Sequence, residues 1–218
     1  VILKMSDFIS DTRIEYQKGS LDVADVKQLP VEQFQSWFEQ ALKTEANEPN
    51  ACALATVGRD GQPSARMVLL KSYDQRGFVF FSNYRSRKGA QLAENPQAAL
   101  VFYWPNLERQ VRIEGNVETL SATESQAYFE SRPRDSQFGS AVSSQSAVAA
   151  SRQELEAALD KLRADVGDRP VPRPEWWGGY RIVPKMLEFW QGRENRLHDR
   201  VRYLLKSDGL WIIERLWP

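Results

Sequence analysis

Apolar side chains at Val31, Phe34, Trp37, Phe38, Ala41 and Leu42 recur at helical spacing, and Pro30 in front of them suits a first helical turn. Residues 47–50 close that helix. Strand-like runs follow. Residues 51–57 are small and apolar, and Gly58-Arg59-Asp60-Gly61 supplies hairpin turn chemistry. Residues 64–73 and 78–82 read as the next strands, with a turn over 74–77. A short helix over 86–94 stops before Pro96. Residues 98–104 and 108–120 return to strand character, and this meander spacing argues for an antiparallel sheet closed as a barrel.

Helical signals dominate the next section. Ser121-Ala122-Thr123-Glu124 is a capping-box pattern opening a helix through Ser131. Ser151-Arg152-Gln153-Glu154 repeats it, with Leu155, Leu159, Leu162 and Val166 on one face beyond. A proline-rich connector over 168–174 leads to strands at 180–183, 187–190, 199–205 and 210–215. Strands, then helices, then strands predict an α+β fold, mainly β, with one barrel and helices packed outside it. Residues 1–30 are polar and without a clear period, and are expected to be a mobile segment ahead of a single domain over 31–218.

Composition narrows the partners. Lys plus Arg and Asp plus Glu are 29 each in 218 residues, so no bulk charge favours nucleic acid or an anionic membrane. No apolar run approaches the roughly 20 residues that span a bilayer. The single cysteine, Cys52, sits among small apolar residues, excludes an internal disulfide framework and suits a reducing compartment. Together with a start that does not resemble a secretory signal, this leads us to expect a cytoplasmic protein. Paired cysteines or histidines for zinc or iron are lacking, as are a P-loop and a G-x-G-x-x-G fingerprint.

The basic residues are clustered, which favours small anionic ligands. Arg66 and Lys71 lie five apart on one strand. They face opposite ways unless a bulge joins them. Ser82-Asn83-Tyr84-Arg85-Ser86-Arg87-Lys88 brings hydroxyls and cations to a helix start, where the backbone N–H groups and the dipole attract anions. Tyr128 and Arg132 are helical neighbours ahead of Pro133, after which Ser136 begins a second short helix. Gln145-Ser146 lies in a polar loop. The only histidine falls in Arg196-Leu197-His198-Asp199-Arg200, where strand alternation would put Arg196, His198 and Arg200 on one face suited to anions and proton traffic. Each cluster alone also admits a reading as a solvated strand end or helix joint.

Together, Arg66-Met67-Val68-Leu69-Leu70-Lys71, Ser86-Arg87-Lys88, Glu108-Arg109-Gln110-Val111, Ser131-Arg132-Pro133-Arg134-Asp135-Ser136-Gln137 and the run from Trp190-Gln191-Gly192 to Arg200 resemble the pyridoxine (pyridoxamine) 5′-phosphate oxidase family. The resemblance runs in order from about residue 30 to the C-terminus. It implies a split β-barrel working as a homodimer, with FMN in the cleft between subunits. It also implies oxidation of pyridoxine or pyridoxamine 5′-phosphate by oxygen to pyridoxal 5′-phosphate and hydrogen peroxide, through hydride transfer from substrate C4′ to flavin N5. The FMN contacts it implies are Arg66, Met67, Val68, Leu69, Lys71, Phe81, Ser82, Arg87, Lys88, Gln110, Gln145, Ser146, Trp190 and Arg200. The substrate phosphate falls to Lys71, Tyr128, Arg132 and Ser136, and the substrate ring to Arg196 and His198 as the catalytic pair. Arg13 and Tyr16 match a segment that covers bound substrate in the family. A nicotinamide-dependent split-barrel flavin reductase and a non-enzymatic pyridoxal phosphate carrier are the competing readings.

Overall fold

The computed structural model describes residues 15–45 and 47–218. Among these are five α-helices: α1 (Pro30–Thr44), α2 (Arg87–Glu94), α3 (Ala122–Ser131), α4 (Arg134–Val142) and α5 (Arg152–Val166). The nine strands are β1 (Ala51–Val57), β2 (Pro63–Leu69), β3 (Ser72–Asp74), β4 (Gly77–Asn83), β5 (Gln97–Trp104), β6 (Arg109–Thr119), β7 (Trp177–Gln191), β8 (Asp199–Leu205) and β9 (Trp211–Arg215). They hydrogen-bond in the order β2-β1-β5-β6-β7-β4-β3, with β8 pairing to β7 and β9. β1 pairs antiparallel with both β2 and β5, and β4 with both β3 and β7.

Residue contacts divide the chain into two compact units, one of residues 1–49, 103–111 and 187–218, the other of 50–102 and 112–186. In the first, α1 buries most of the face that its spacing foretold: Val31, Phe34, Trp37 and Ala41 are all below a tenth exposed, whereas Phe38 is half-buried and Leu42 is 57% exposed. Trp37 meets Phe189 edge-on at 5.3 Å, and Phe34 lies 6.2 Å from Trp104. Burying each of these large rings stabilises the unit by roughly 1.5–3 kcal/mol. Behind α1, residues 15–29 form no helix or strand yet are tied down. Gln17 and Lys18 donate their backbone N–H groups to Glu108 Oε2 at 2.8 and 2.9 Å, and Leu21 donates to Asp199 Oδ2 at 3.0 Å.

The second unit holds two cores. One is sheet-borne, with Cys52, Leu54, Phe78, Phe80, Leu100, Phe102, Ile113 and Ile182 essentially inaccessible. β1 alternates half-buried and buried residues, as a strand packed on one face must. The other packs Phe129, Phe138, Val166, Val171 and Trp177 beneath α3, α4 and α5. Arg181 on β7 is 4% exposed and lies 2.9 Å from Asp74, 3.5 Å from Glu118 and 3.7 Å from Glu124, so its buried charge is compensated. The capping box at Ser121 forms as its sequence pattern requires, Ser121 Oγ accepting from Glu124 N–H while the Glu124 carboxylate accepts from Ser121 N–H.

Four expectations are corrected. The single strand over 64–73 is two, because the chain leaves β2 at Leu70, whose N–H turns to Asn50 O. Residues 180–183 and 187–190 belong to one strand that runs through Pro184. α4 starts at Arg134, directly after Pro133, rather than at Ser136. Arg196 and His198 precede β8, which begins at Asp199, so they do not share a strand face with Arg200.

Candidate active site

In the unit of residues 50–102 and 112–186, β4 leads into α2 through a tight turn, and Ser86 caps the helix by accepting from Gly89 N–H. A Cβ at Gly89 would overlap the Tyr84 carbonyl, so only glycine lets the helix start this close to the turn. The first turn of α2 holds no acidic residue and carries Arg87 and Lys88 instead. Lys88 Nζ donates to Ser82 Oγ at 3.0 Å, Ser86 Oγ at 3.3 Å and Gln145 Oε1 at 2.6 Å. Arg66, on β2 opposite Leu54, folds its guanidinium back to donate to Leu54 O, Thr56 Oγ1, Ser64 Oγ and Gln91 Oε1. Every one of these partners is neutral.

The electrostatics follow from that. Burial, with the Arg66 charge adding to it, lowers the Lys88 ammonium to about 8. Burial and then the Arg87 charge likewise lower Arg66. Among the described residues no carboxylate is paired with Arg66, Arg87 or Lys88. Three cations at a helix N-terminus without a counter-charge form a site that an anion would stabilise.

Beside this cluster lies a cavity of about 240 Å³ whose lining includes Lys71, Phe81, Ser82, Tyr128, Arg132 and Gln145. Aromatic rings build one wall: Tyr128 stacks on Phe81 at 3.9 Å, and Trp177 lies 5.4 Å from Phe81. Arg132 lies over the Trp177 ring at 4.9 Å and donates to Ser140 Oγ at 2.7 Å. Burial lowers the Arg132 guanidinium and raises the Tyr128 phenol. Lys71 reaches the cavity because β2 has already ended, and its backbone N–H goes to Val79 O at 2.8 Å.

In the unit of residues 1–49, 103–111 and 187–218, three rings meet. Trp190 and His198 lie 4.7 Å apart at 44°, and Tyr16 stands at 89° to Trp190 at 5.6 Å and at 70° to His198 at 5.8 Å. A Cβ at Gly192 would come 2.6 Å from Tyr16 Cγ, so the glycine makes room for that ring. Between Trp190 and His198 the chain turns through Glu194–Arg196, with Asn195 at φ 56° and Arg196 at φ 59°. These left-handed conformations are costly away from glycine and are held by the surrounding loop. Burial and the Arg196 charge lower the His198 imidazole, Asp199 opposing them. Arg200 donates to buried Glu188 at 2.8 Å and to Trp217 O at 2.8 Å.

The structure thus gathers Arg66, Ser82, Lys88 and Gln145 into one cluster, with Lys71, Phe81, Tyr128 and Arg132 around the adjoining cavity. It separately gathers Tyr16, Trp190 and His198. Met67 is exposed and Val68 and Leu69 half-buried on β2. Gln110 is half-buried on β6, and Ser146 is exposed at φ 74°. Ser136 is exposed on the first turn of α4, outside the cavity lining, and Arg196 is exposed. Arg13 lies outside the described residues. Sequence reasoning missed Ser140 and Trp177 in the cavity wall. Trp177 had a signal in the dense Trp176-Trp177-Gly178-Gly179-Tyr180 run, whereas a lone serine inside a helix has none.

Comparison with known proteins gives this arrangement its class. The family model described as pyridoxamine 5′-phosphate oxidase matches residues 38–164, and that of the pyridoxine 5′-phosphate oxidase C-terminal dimerisation region matches 177–218. A solved structure of PhzG from Burkholderia lata, in complex with tetrahydrophenazine-1-carboxylic acid, superposes with a TM-score of 0.84 at 33% identity, covering 92% of this chain and all of that one. An FMN-binding protein from Nostoc punctiforme shares the fold, with a TM-score of 0.68 at 17% identity over 85% of this chain and 97% of its own. The fold is therefore the α+β split β-barrel that these structures share. The pyridoxine/pyridoxamine 5′-phosphate oxidases of Thermosynechococcus vestitus and Acaryochloris marina are 57% and 56% identical over 210 residues, which is 96% of this chain and 99% and 95% of theirs. The chain belongs to the pyridoxamine 5′-phosphate oxidase family, and is an oxidoreductase. Among the described residues no helix is long and apolar enough to cross a membrane, and no group of acidic, histidine and cysteine side chains could hold a metal ion.

Proposed function

We propose that the chain oxidises pyridoxine 5′-phosphate to pyridoxal 5′-phosphate, or pyridoxamine 5′-phosphate to the imine that water hydrolyses to pyridoxal 5′-phosphate and ammonia, with FMN as cofactor and oxygen as final acceptor. The observation that carries this reading is the carboxylate-free cluster of Arg66, Arg87 and Lys88 beside a second cationic, aromatic-walled cavity. Two phosphate-suited sites share Ser82 and Gln145, as a phosphorylated cofactor beside a phosphorylated substrate requires.

The residues fit FMN on chemical grounds. Arg66, Ser82, Arg87 and Lys88 would hold its phosphate, with Gln145 and Ser146 closing over it. Met67, Val68, Leu69, Lys71, Phe81, Gln110, Trp190 and Arg200 would complete the site, those beyond one subunit's reach coming from a second copy. The match to a dimerisation region supports such a homodimer. When bound, FMN supplies the acceptor for the hydride leaving substrate C4′, and oxygen takes the electrons on as hydrogen peroxide.

The chain's own work is binding and orientation. Arg132 and Lys71 neutralise the substrate phosphate, with Tyr128 and Ser136 donating hydroxyl hydrogen bonds. Arg196 and His198 hold the substrate ring so that C4′ stays at reacting distance. Tyr16 covers the bound ring and excludes water. Flavin analysis of denatured protein and assay for aldehyde and peroxide test the reading together. Released FMN with equal yields of pyridoxal phosphate and peroxide is expected. Protein that cannot be loaded with FMN, or that oxidises NADPH and neither substrate, contradicts it.

A further inference from the structure

We propose that His198 acts as a fixed hydrogen-bond donor through Nε2, positioned by the Arg193 backbone N–H, and not as a proton acceptor. Arg193 N–H donates to His198 Nδ1 at 3.1 Å. A ring nitrogen that accepts carries no proton, so the one proton of the neutral imidazole resides on Nε2. The only bare nitrogen is then the one already capped by Arg193. A general base needs a bare nitrogen open to its substrate, and this ring has none to offer.

Three further contacts hold that arrangement. The ring packs against both Trp190 and Tyr16, which limits its rotation. The donor is anchored as well, because the Arg193 guanidinium donates to Gly19 O at 3.0 Å and lies 3.7 Å from Asp199 Oδ2. The bond also closes the loop that carries Arg196, where Leu197 N–H returns to Glu194 O at 3.1 Å across the two left-handed residues. His198 therefore sets the position of Arg196 as well as its own.

Among the described residues, the charged and titratable groups around the imidazole are Arg196 and Asp199 on its own segment, the Arg193 guanidinium, and the Tyr16 phenol. A second proton would place Nδ1–H against the Arg193 N–H and open the loop closure. What the ring offers a ligand is Nε2–H, suited to an electron-rich acceptor such as a phenolate oxygen. Identifying that acceptor as part of a vitamin B6 phosphate rests on the function proposed above, whereas the tautomer does not.

His198 is the only histidine in the chain, so isotope-labelled histidine in the FMN-loaded protein reports one imidazole. Nitrogen NMR at neutral pH is expected to show a protonated Nε2 and a bare Nδ1, and added pyridoxal 5′-phosphate is expected to shift the Nε2–H resonance. A protonated Nδ1 or an averaged mixture of tautomers would overturn the inference, whereas an Nε2–H unmoved by bound pyridoxal phosphate would contradict the functional reading that names its acceptor. Turnover with a protonated Nδ1 would defeat the inference alone, and the Nε2–H tautomer without turnover would defeat only the functional reading.

Discussion

Lys88 Nζ lies 2.6 Å from Gln145 Oε1, joining the first turn of α2 to the loop after α4 at a point where neither partner carries a negative charge. Burial has lowered the ammonium to about 8, so it is charged at neutral pH and loses its proton as pH rises through that value. A bound phosphate favours the charged form. FMN binding should therefore weaken as pH rises above about 8 and be accompanied there by proton uptake. Calorimetric titration in buffers of different ionisation enthalpy measures both. Lys88→Met should bind FMN more weakly and lose this pH dependence, and an unchanged pH profile would remove Lys88 from the phosphate site.

Arg132→Ala deletes a charge-assisted contact worth about 1.5–3 kcal/mol, hence a rise in KM of roughly tenfold to a hundredfold with FMN affinity unaltered. Ser140→Ala removes only the hydroxyl that accepts from Arg132, and should raise KM by a smaller factor, about twofold to tenfold. Steady-state kinetics with either phosphorylated substrate decides both. A KM insensitive to Arg132→Ala places the substrate phosphate elsewhere.

Arg196→Ala should lower catalytic efficiency by roughly tenfold to a hundredfold while FMN stays bound, since a guanidinium contact to the substrate is lost. Alanine meets the same left-handed backbone cost as arginine there, so thermal stability should change little. Stopped-flow reduction of bound flavin separates the two effects.

Gly192→Ala would force the Tyr16 ring away from Trp190 and His198, because the added Cβ occupies its place. We expect raised KM and faster hydrogen exchange at Gln17 and Lys18, whose N–H groups depend on the same path of the segment across Glu108. Hydrogen exchange by mass spectrometry checks the second outcome independently of activity.

Much of the fold could be read from side-chain periodicity and capping chemistry. The bounds of β1 and β8, the capping box at Ser121 and the helix start after Ser86 all follow from local rules that tertiary packing did not override. What failed was set by the backbone. Period-two alternation put Arg196, His198 and Arg200 on one face, but two consecutive left-handed residues turn the chain before β8 begins. The strands read over 180–183 and 187–190 are one, because β7 runs unbroken through Pro184. Of the candidate site, cations and aromatics were legible because clusters of one charge are unusual. Ser140 and the Arg193 N–H were not, since a hydroxyl within a helix and a backbone donor gain meaning only from what folding brings beside them.

Anaerobic addition of pyridoxine 5′-phosphate to the purified, FMN-loaded protein is the most direct test of this reading, because it requires the two phosphate-suited sites to serve one redox reaction. We expect the visible flavin absorbance to bleach as pyridoxal 5′-phosphate forms, and to return when oxygen is admitted, with hydrogen peroxide released. Flavin absorbance that stays unchanged while the phosphate ester binds would contradict it, and would make the second site one for carriage rather than oxidation.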